Sequence, residues 1–376
     1  MPSDGFSRRV EELLALADVE IGGRRAWDLV VHDDAFYRRV LSGGSLALGE
    51  AYVDGWWDCE RLDEFFHRVL QAGLDRRVGS PAWLLDALRA RLGNPQTPSR
   101  AFTIGERHYD LGNDLYRVML DARMIYSCGY WEGASDLDQA QEAKLELVCR
   151  KLGLQPGMRV LDIGCGWGGT ARFAAERHGV EVVGITVSQQ QVELAREACK
   201  GLPIEIRLQD YRELDGTFDR ILSIGMFEHV GHRNYRTFFE IVRRRLRDDG
   251  LFLLHTIGGG KSESRGEPWT EKYIFPNSML PSARQICAAT EGIFVLEDWQ
   301  NFGADYDRTL LCWFRNFERG WERLRDRYGD RFRRMWTYYL LSSAGSFRAR
   351  RDQVWQLVLS PMGVPGGYAR HPRAPG

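Results

Sequence analysis

Apolar residues recur every three or four positions between Phe6 and Leu92, in VEELLALA (10–17), DDAFYRRVLSG (33–43) and LDEFFHRVL (62–70). That spacing predicts short amphipathic helices. Ser80-Pro81 opens a further predicted helix, PAWLLDALRARL, and no strand-like alternation interrupts the stretch. Gly93 to Arg100, GNPQTPSR, combines Gly, Pro and polar residues and predicts a linker. From Leu137 the period changes. A helical pattern over 138–153 precedes short β-branched and apolar runs at 158–164, 180–186, 204–209, 218–225 and 251–258, with helical patterns between them. Such alternation predicts an open parallel α/β sheet. The runs at 293–300 and 354–360 are candidate sixth and seventh strands, and the Arg- and aromatic-rich stretch between them reads as two helices. The predicted division is a helical domain over 1–95 and an α/β domain over 96–376.

Composition narrows the class without naming it. The 51 Lys plus Arg against 52 Asp plus Glu give a net charge of −1, with 44% hydrophobic and 27% charged residues. This is the balance of a soluble globular protein, and it argues against a nucleic-acid partner held by bulk charge. Charge is uneven locally: Arg315 to Asp352 holds eleven Arg, no Lys and five acidic residues. The stretch suits an anionic surface, or simply coats exposed helix faces. The seven Cys are odd in number and scattered, with no C-x-x-C pair, which predicts reduced thiols and no metal site. The first residues lack a signal peptide's apolar core, and no segment reaches the ~18 apolar residues of a membrane span. A cytoplasmic protein with at most peripheral membrane contact is expected.

The strand at 158–164 ends in VLDIGCGWGG (160–169) and runs directly into the helical pattern TARFAAERHG. Gly164, Gly166 and Gly168 permit a tight turn and close backbone approach to a ligand at a helix N-terminus. The same letters satisfy G-x-G-x-x-G through Gly164, Gly166 and Gly169, so a dinucleotide site competes. Two features oppose it. Asp162 stands two residues before the first Gly, where a carboxylate can face a ligand's amino group. Thr186, Ser188 and Gln189 occupy the place of a ribose-binding acid. The D-x-G-x-G-x-G form resembles the S-adenosylmethionine loop of class I methyltransferases.

Longer motifs sharpen that likeness. HYDLGNDLYRVMLD (108–121), MIYSCGYWE (124–132), QDYREL (209–214), SIGMFEHVG (223–231), LLHTIGG (253–259), KYIFPN (272–277), NFGADYDRTL (301–310) and FRAR (347–350) occur in order. Together with the glycine loop they resemble the cyclopropane fatty acid synthase family of bacteria. The resemblance implies a Rossmann-like, seven-stranded methyltransferase fold with a small helical N-terminal domain. It implies transfer of the methyl group of S-adenosylmethionine to the cis double bond of a phospholipid acyl chain, then proton loss and ring closure. It also implies work at the inner face of the membrane, on a phospholipid bilayer, as a homodimer.

The residue roles implied by the family follow position by position. The base is a bicarbonate or carbonate ion cradled by Cys128, Glu228, His255, the backbone of Ile257, and Tyr306. The cofactor is held by Tyr126 and Ser127, Asp162, the loop Gly164, Cys165, Gly166, Trp167, Gly168 and Gly169, the run Thr186, Ser188, Gln189, Gln190 and Gln191, and Asp210 with Tyr211 and Arg212. His108, Tyr109 and Asn113 are expected to shape a lid. Plainer roles exist for each: Glu228 as a helix-terminal carboxylate, His255 as a bonded core residue, Cys128 as an inert thiol, Tyr306 as a loop residue. A buried Glu228 and an oxyanion cannot both stay uncompensated, so a proton shared by Glu228 or a cationic His255 is expected. Ser343 stands where many relatives carry a Cys, which removes a thiol nucleophile there.

Overall fold

In the computed structural model, which describes residues 5–77 and 112–369, the chain sorts into two compact units. The first comprises residues 1–93, 264–276 and 306–352; the second comprises 94–263, 277–305 and 353–376. The expected division at residue 95 treated 264–276 and 306–352 as parts of the α/β domain, whereas here they share a unit with the N-terminal helices. The predicted linker, the helix from Ser80-Pro81, and His108 and Tyr109 lie outside the described residues.

In the first unit the helical patterns become Gly5–Ala15, Ala35–Val53 and Leu62–Gln71, the second bent at Gly44 where φ is 59° and ψ −142°. Two-residue strands β1 (Val30–Val31) and β2 (Trp57–Asp58) pair antiparallel, too short to leave a periodic trace in the sequence. The Arg-rich stretch forms Ala304–Gly320 and Arg325–Arg348, the two helices expected. Gly345 lets the second of these lie against Leu62–Gln71, because a Cβ there would stand 2.6 Å from both the Asp63 carbonyl oxygen and Phe66 Cβ. Trp57, Trp269, Trp313 and Trp336 fill the core of the unit.

The Arg excess is largely matched within the unit. Arg325 pairs with Glu322, Arg331 with Asp54, Arg333 with Glu318, Arg334 with Asp58, and Arg351 with Asp75. Arg348 meets Asp63, Glu64 and Asp307 at 2.8, 3.1 and 2.9 Å. Most of these carboxylates come from the N-terminal segment, a long-range pairing invisible to a local charge count.

The second unit is a seven-stranded sheet: β3 (Arg159–Ile163), β4 (Glu181–Thr186), β5 (Ile204–Leu208), β6 (Phe218–Ile224), β7 (Leu246–Gly259), β8 (Val295–Asn301) and β9 (Asp352–Ser360), in the order β5-β4-β3-β6-β7-β9-β8. β3 to β7 pair parallel, as the five apolar runs predict, and the two candidate strands, whose direction the sequence leaves open, are β8 and β9, which pair antiparallel with each other at the edge. Successive strand residues face opposite sides, so Val160, Val182 and Leu253 pack with Leu145, Val148 and Phe173. Leu161, Val183 and Phe252 pack with Phe238, Phe239 and Val242 on the other side. Both faces are covered, which explains the near-continuous apolar strands. The strand order reverses between β3 and β6, where open α/β sheets place their ligands.

Candidate functional site

β3 delivers Asp162 to this reversal and then turns through glycines with φ of 86° at Gly164, 55° at Gly166 and 82° at Gly168. Gly168 caps the helix Gly169–His178. At Gly169 a Cβ would fall 2.3 Å from the Arg123 carbonyl oxygen, and at Gly164 2.7 Å from Met226 Cβ, so both positions require glycine for close approach. The loop, the segment 124–127 and the ends of β4 to β6 line one cavity.

Thirteen of the residues expected to hold a cofactor line it: Tyr126, Ser127, Asp162, Gly164, Cys165, Gly166, Trp167, Gly169, Thr186, Gln191, Asp210, Tyr211 and Arg212. Gly168, Ser188, Gln189 and Gln190 do not. Gly168 faces Cys199, Ser188 caps the helix Gln189–Ala198 by accepting from Gln191 N, and Gln189 donates to Glu193 at 2.9 Å. Thr186 Oγ1 donates to Gln191 Oε1 at 2.7 Å, which fixes both side chains. Asp210 accepts from Arg212 N and Nη1, both at 2.9 Å, and its oxygens keep lone pairs for a ligand N–H. Asn113, expected in a lid, accepts from Trp167 Nε1 at 3.0 Å. Tyr116 touches both Tyr126 and Trp167 by ring contact, with centroids 5.2 and 4.8 Å away. Tyr116, Met226 and His229 escaped the residue-by-residue reading, although the motifs that carry the resemblance contain all three.

Asp162 is buried, and its Oδ2 has no hydrogen-bond partner among the described residues. Burial pushes its carboxyl up to about 7, against the opposing pull of the Lys144 cation. An orphaned buried acceptor beside a loop that glycine alone permits fits a ligand bearing an N–H or ammonium donor, as S-adenosylmethionine does. His229, on the same wall, is pushed down to about 4 by burial and stays neutral.

The expected oxyanion cradle lies next along the sheet. Glu228 follows β6 and is buried; its Oε1 accepts from Ile257 N at 2.7 Å, while Oε2 has no partner among the described residues. The Ile257 amide is therefore engaged by Glu228 itself. Burial pushes the Glu228 carboxyl up to about 7, only partly opposed by that amide. His255 sits on β7 with its ring against Phe302 and Nδ1 3.3 Å from Gln356 Nε2. Burial and the Lys144 and Lys151 cations push its pKa well below the ordinary value. Of the two expected ways to compensate the anion, a cationic His255 is opposed by this burial and by both cations, whereas a proton on Glu228 is favoured by the burial of its carboxyl. Cys128 is buried, its Sγ 3.2 Å from the Gly129 carbonyl. Tyr306 belongs to the first unit, where its ring meets Phe347 and Trp313. Among the described residues no group of acidic, Cys and His side chains is arranged for a metal ion, and no Cys forms a disulfide.

The sheet order, the glycine loop and the ligand wall at the reversal define an S-adenosylmethionine-dependent methyltransferase fold. Within that class, the chain belongs to the mycolic acid cyclopropane synthetase family, whose model matches residues 96–357. It is 53% identical over 370 residues to a cyclopropane-fatty-acyl-phospholipid synthase of Escherichia coli, covering 98% of this chain and 96% of that one. Its fold is similar to a cyclopropane synthase of Mycobacterium tuberculosis, with TM-score 0.65, 32% identity, and 71% of this chain and 99% of that one covered. A mycolic acid cyclopropane synthase solved with SAH and CTAB gives TM-score 0.64 and 33% identity, over 69% of this chain and 97% of that one.

Proposed function

We propose that this chain adds the methyl carbon of S-adenosylmethionine to the cis double bond of an unsaturated acyl chain in a membrane phospholipid and closes a cyclopropane ring. The kinship with the E. coli phospholipid synthase, which runs through both units, carries this reading. The cofactor supplies an electrophilic methyl on a sulfonium. Around it the glycine loop gives close backbone approach, Asp162 Oδ2 an acceptor, and Tyr126 and Trp167 an aromatic wall against which Tyr116 packs.

An alkene is a weak nucleophile, and its attack leaves positive charge on carbon. The site must therefore align the two carbons and exclude water. Ring faces tolerate such a charge, at ~0.5–2 kcal/mol each. Cys128, Glu228, His255, Ile257 and Tyr306 are the residues that would hold bicarbonate, which would supply a base for the added methyl; Tyr306 is included on the family resemblance alone. Glu228 in its protonated form has a hydrogen to donate from Oε2, the end of its carboxyl without a partner among the described residues, and neutral His255 adds no competing cation.

No helix among the described residues is long and apolar enough to cross a membrane. Phospholipid does not leave a bilayer readily, so the reading includes peripheral docking on the membrane by the helical unit. The test is incubation of the purified chain with S-adenosylmethionine and vesicles of cis-unsaturated phospholipid. Mass spectrometry should show a gain of one methylene in the released acids, and proton NMR the loss of the olefin and new high-field ring signals. Recovery of unchanged acyl chains from a preparation that binds SAH would reject the acyl substrate.

A further inference from the structure

The helix Leu137–Lys151 carries a lysine that the reaction as described leaves without a role. Lys144 is 0% exposed, and its Nζ donates to Ser127 Oγ at 2.8 Å, its hydrogen-bond partner among the described residues. Gln141, one turn earlier on the same helix face, donates from Nε2 to the Ser127 carbonyl at 2.8 Å. One face of the helix thus grips backbone and side chain of a residue that lines the cofactor cavity. An ammonium buried with a single hydroxyl partner is costly unless carboxylates offset it.

The titratable groups close enough to act on Lys144 through charge are Asp121, Cys128, Asp162 and His255. Asp121 already accepts from Ile125 N at 2.8 Å and Arg123 N at 3.0 Å. The thiols of Cys165 and Cys199 also face Asp162 and are held neutral by burial. Cys128 lies 3.2 Å from a carbonyl, and His255 is neutral. Asp162 is the one of these carboxylates with an oxygen lacking any partner among the described residues, and that oxygen belongs to a residue of the cavity wall.

We propose that Lys144 is a positioning residue for the cofactor: its buried charge makes ionised Asp162 available to the amino-acid ammonium of the ligand, while its hydrogen bond sets Ser127 in the wall. The proposal rests on the S-adenosylmethionine reading of the cavity. Where Asp162 is protonated before binding, its proton passes to solvent, and the carboxylate is then stabilised by the charges of both Lys144 and the ligand. Burial pulls Lys144 down to about 8 and Asp162 up to about 7, so the two titrate as a coupled pair in the physiological range.

The sign follows from the pair. Below the acid limb Asp162 is neutral and SAH binds weakly; affinity rises as pH passes about 7. Without the Lys144 charge, Asp162 ionises only at higher pH. The test is SAH affinity of the full chain by calorimetry, from about pH 5.5 to 8.5, in buffers of differing ionisation enthalpy. Lys144→Gln keeps an N–H donor for Ser127 and removes the charge. It should move the acid limb up by about one pH unit and weaken SAH binding near pH 7 about fivefold. A folded Lys144→Gln protein with the wild-type affinity profile overturns the proposal. Should that variant not fold, Asp162→Asn with Lys144 intact decides: loss of the acid limb and of proton release supports the pair, and their retention overturns it. A wild-type chain that binds no SAH at any pH removes the cofactor reading itself, and the proposal with it.

Discussion

At the scale of single residues, Glu228 joins a stability cost to a proposed function. Its pKa is raised from an ordinary 4.5 to about 7 because the carboxyl is buried, with one oxygen on the Ile257 amide and the other without a hydrogen-bond partner among the described residues. A raised folded-state value means that the native protein favours the protonated form. The associated stability is present in full below 4.5 and is lost as pH rises through about 7. A tenfold change in a proton's binding constant is worth ~1.4 kcal/mol, so the loss by about pH 8 is about 3 kcal/mol. Glu228→Gln keeps an acceptor for Ile257 and has no proton to lose. Denaturant titration should find it close to wild type near pH 4.5, and more stable near pH 8 by up to ~3 kcal/mol, although its methyl transfer to lipid falls. Equal stability of the two proteins at both pH values would show that Glu228 is solvated in solution. Asp162 has the same sign and lines the cavity proposed for the cofactor, so added SAH should flatten its share of the pH dependence and leave the Glu228 share in place.

Among elements, the glycine loop was readable in the sequence because its chemistry is local: a strand, three glycines with positive φ and a helix start lie within ten residues. The helices and the parallel strands were readable for the same reason, since period three to four and β-branched runs are local signals. Features fixed by distant parts of the chain were not. Ser188 and Gln189 look like ligand contacts in a line of letters, yet their side chains serve the helix Gln189–Ala198. Lys144 reads as an ordinary polar position until Ser127 is folded against it. The antiparallel β8–β9 edge has no signature because register and direction are settled by pairing, which local pattern does not report. Close packing between elements sets the next expectation. Gly169→Ala places a methyl 2.3 Å from the Arg123 carbonyl and 2.6 Å from Ile125 Cδ1, so the segment that lines the cavity must move. SAH affinity should fall by about tenfold or more, while thermal unfolding shifts by a cost of ~1–3 kcal/mol. Unchanged affinity would mean that the loop at 121–125 shifts without disturbing the cavity.

For the molecule as a whole, the question is how a chain with net charge −1 would hold a membrane long enough to take an acyl chain. The count of eleven Arg between Arg315 and Asp352 suggested a field for anionic headgroups, at ~1 kcal/mol per well-placed charge. The fold reassigns much of that charge: among the described residues at least six of those Arg are in ion pairs, four of them with carboxylates of the N-terminal segment. Arg348 shows what such pairing is for. Asp63, only 3% exposed in its side chain, relies on Arg348 and Arg61 at 2.8 and 2.9 Å, so Arg348→Met leaves a buried carboxylate poorly compensated. That variant should lose ~3–5 kcal/mol by chemical denaturation, and loss of under ~1 kcal/mol would class the cluster with ordinary surface pairs. The same pairing bears on docking. Charges already neutralised within the protein release few counterions and attract headgroups weakly, whereas apolar contact is nearly insensitive to salt. Binding to vesicles containing anionic phospholipid, followed by sedimentation from about 50 to 300 mM salt, should therefore weaken only about threefold or less. A fall of about a hundredfold would place a strong cationic face on the protein, and substitution of the Arg outside these ion pairs would then be the way to find it.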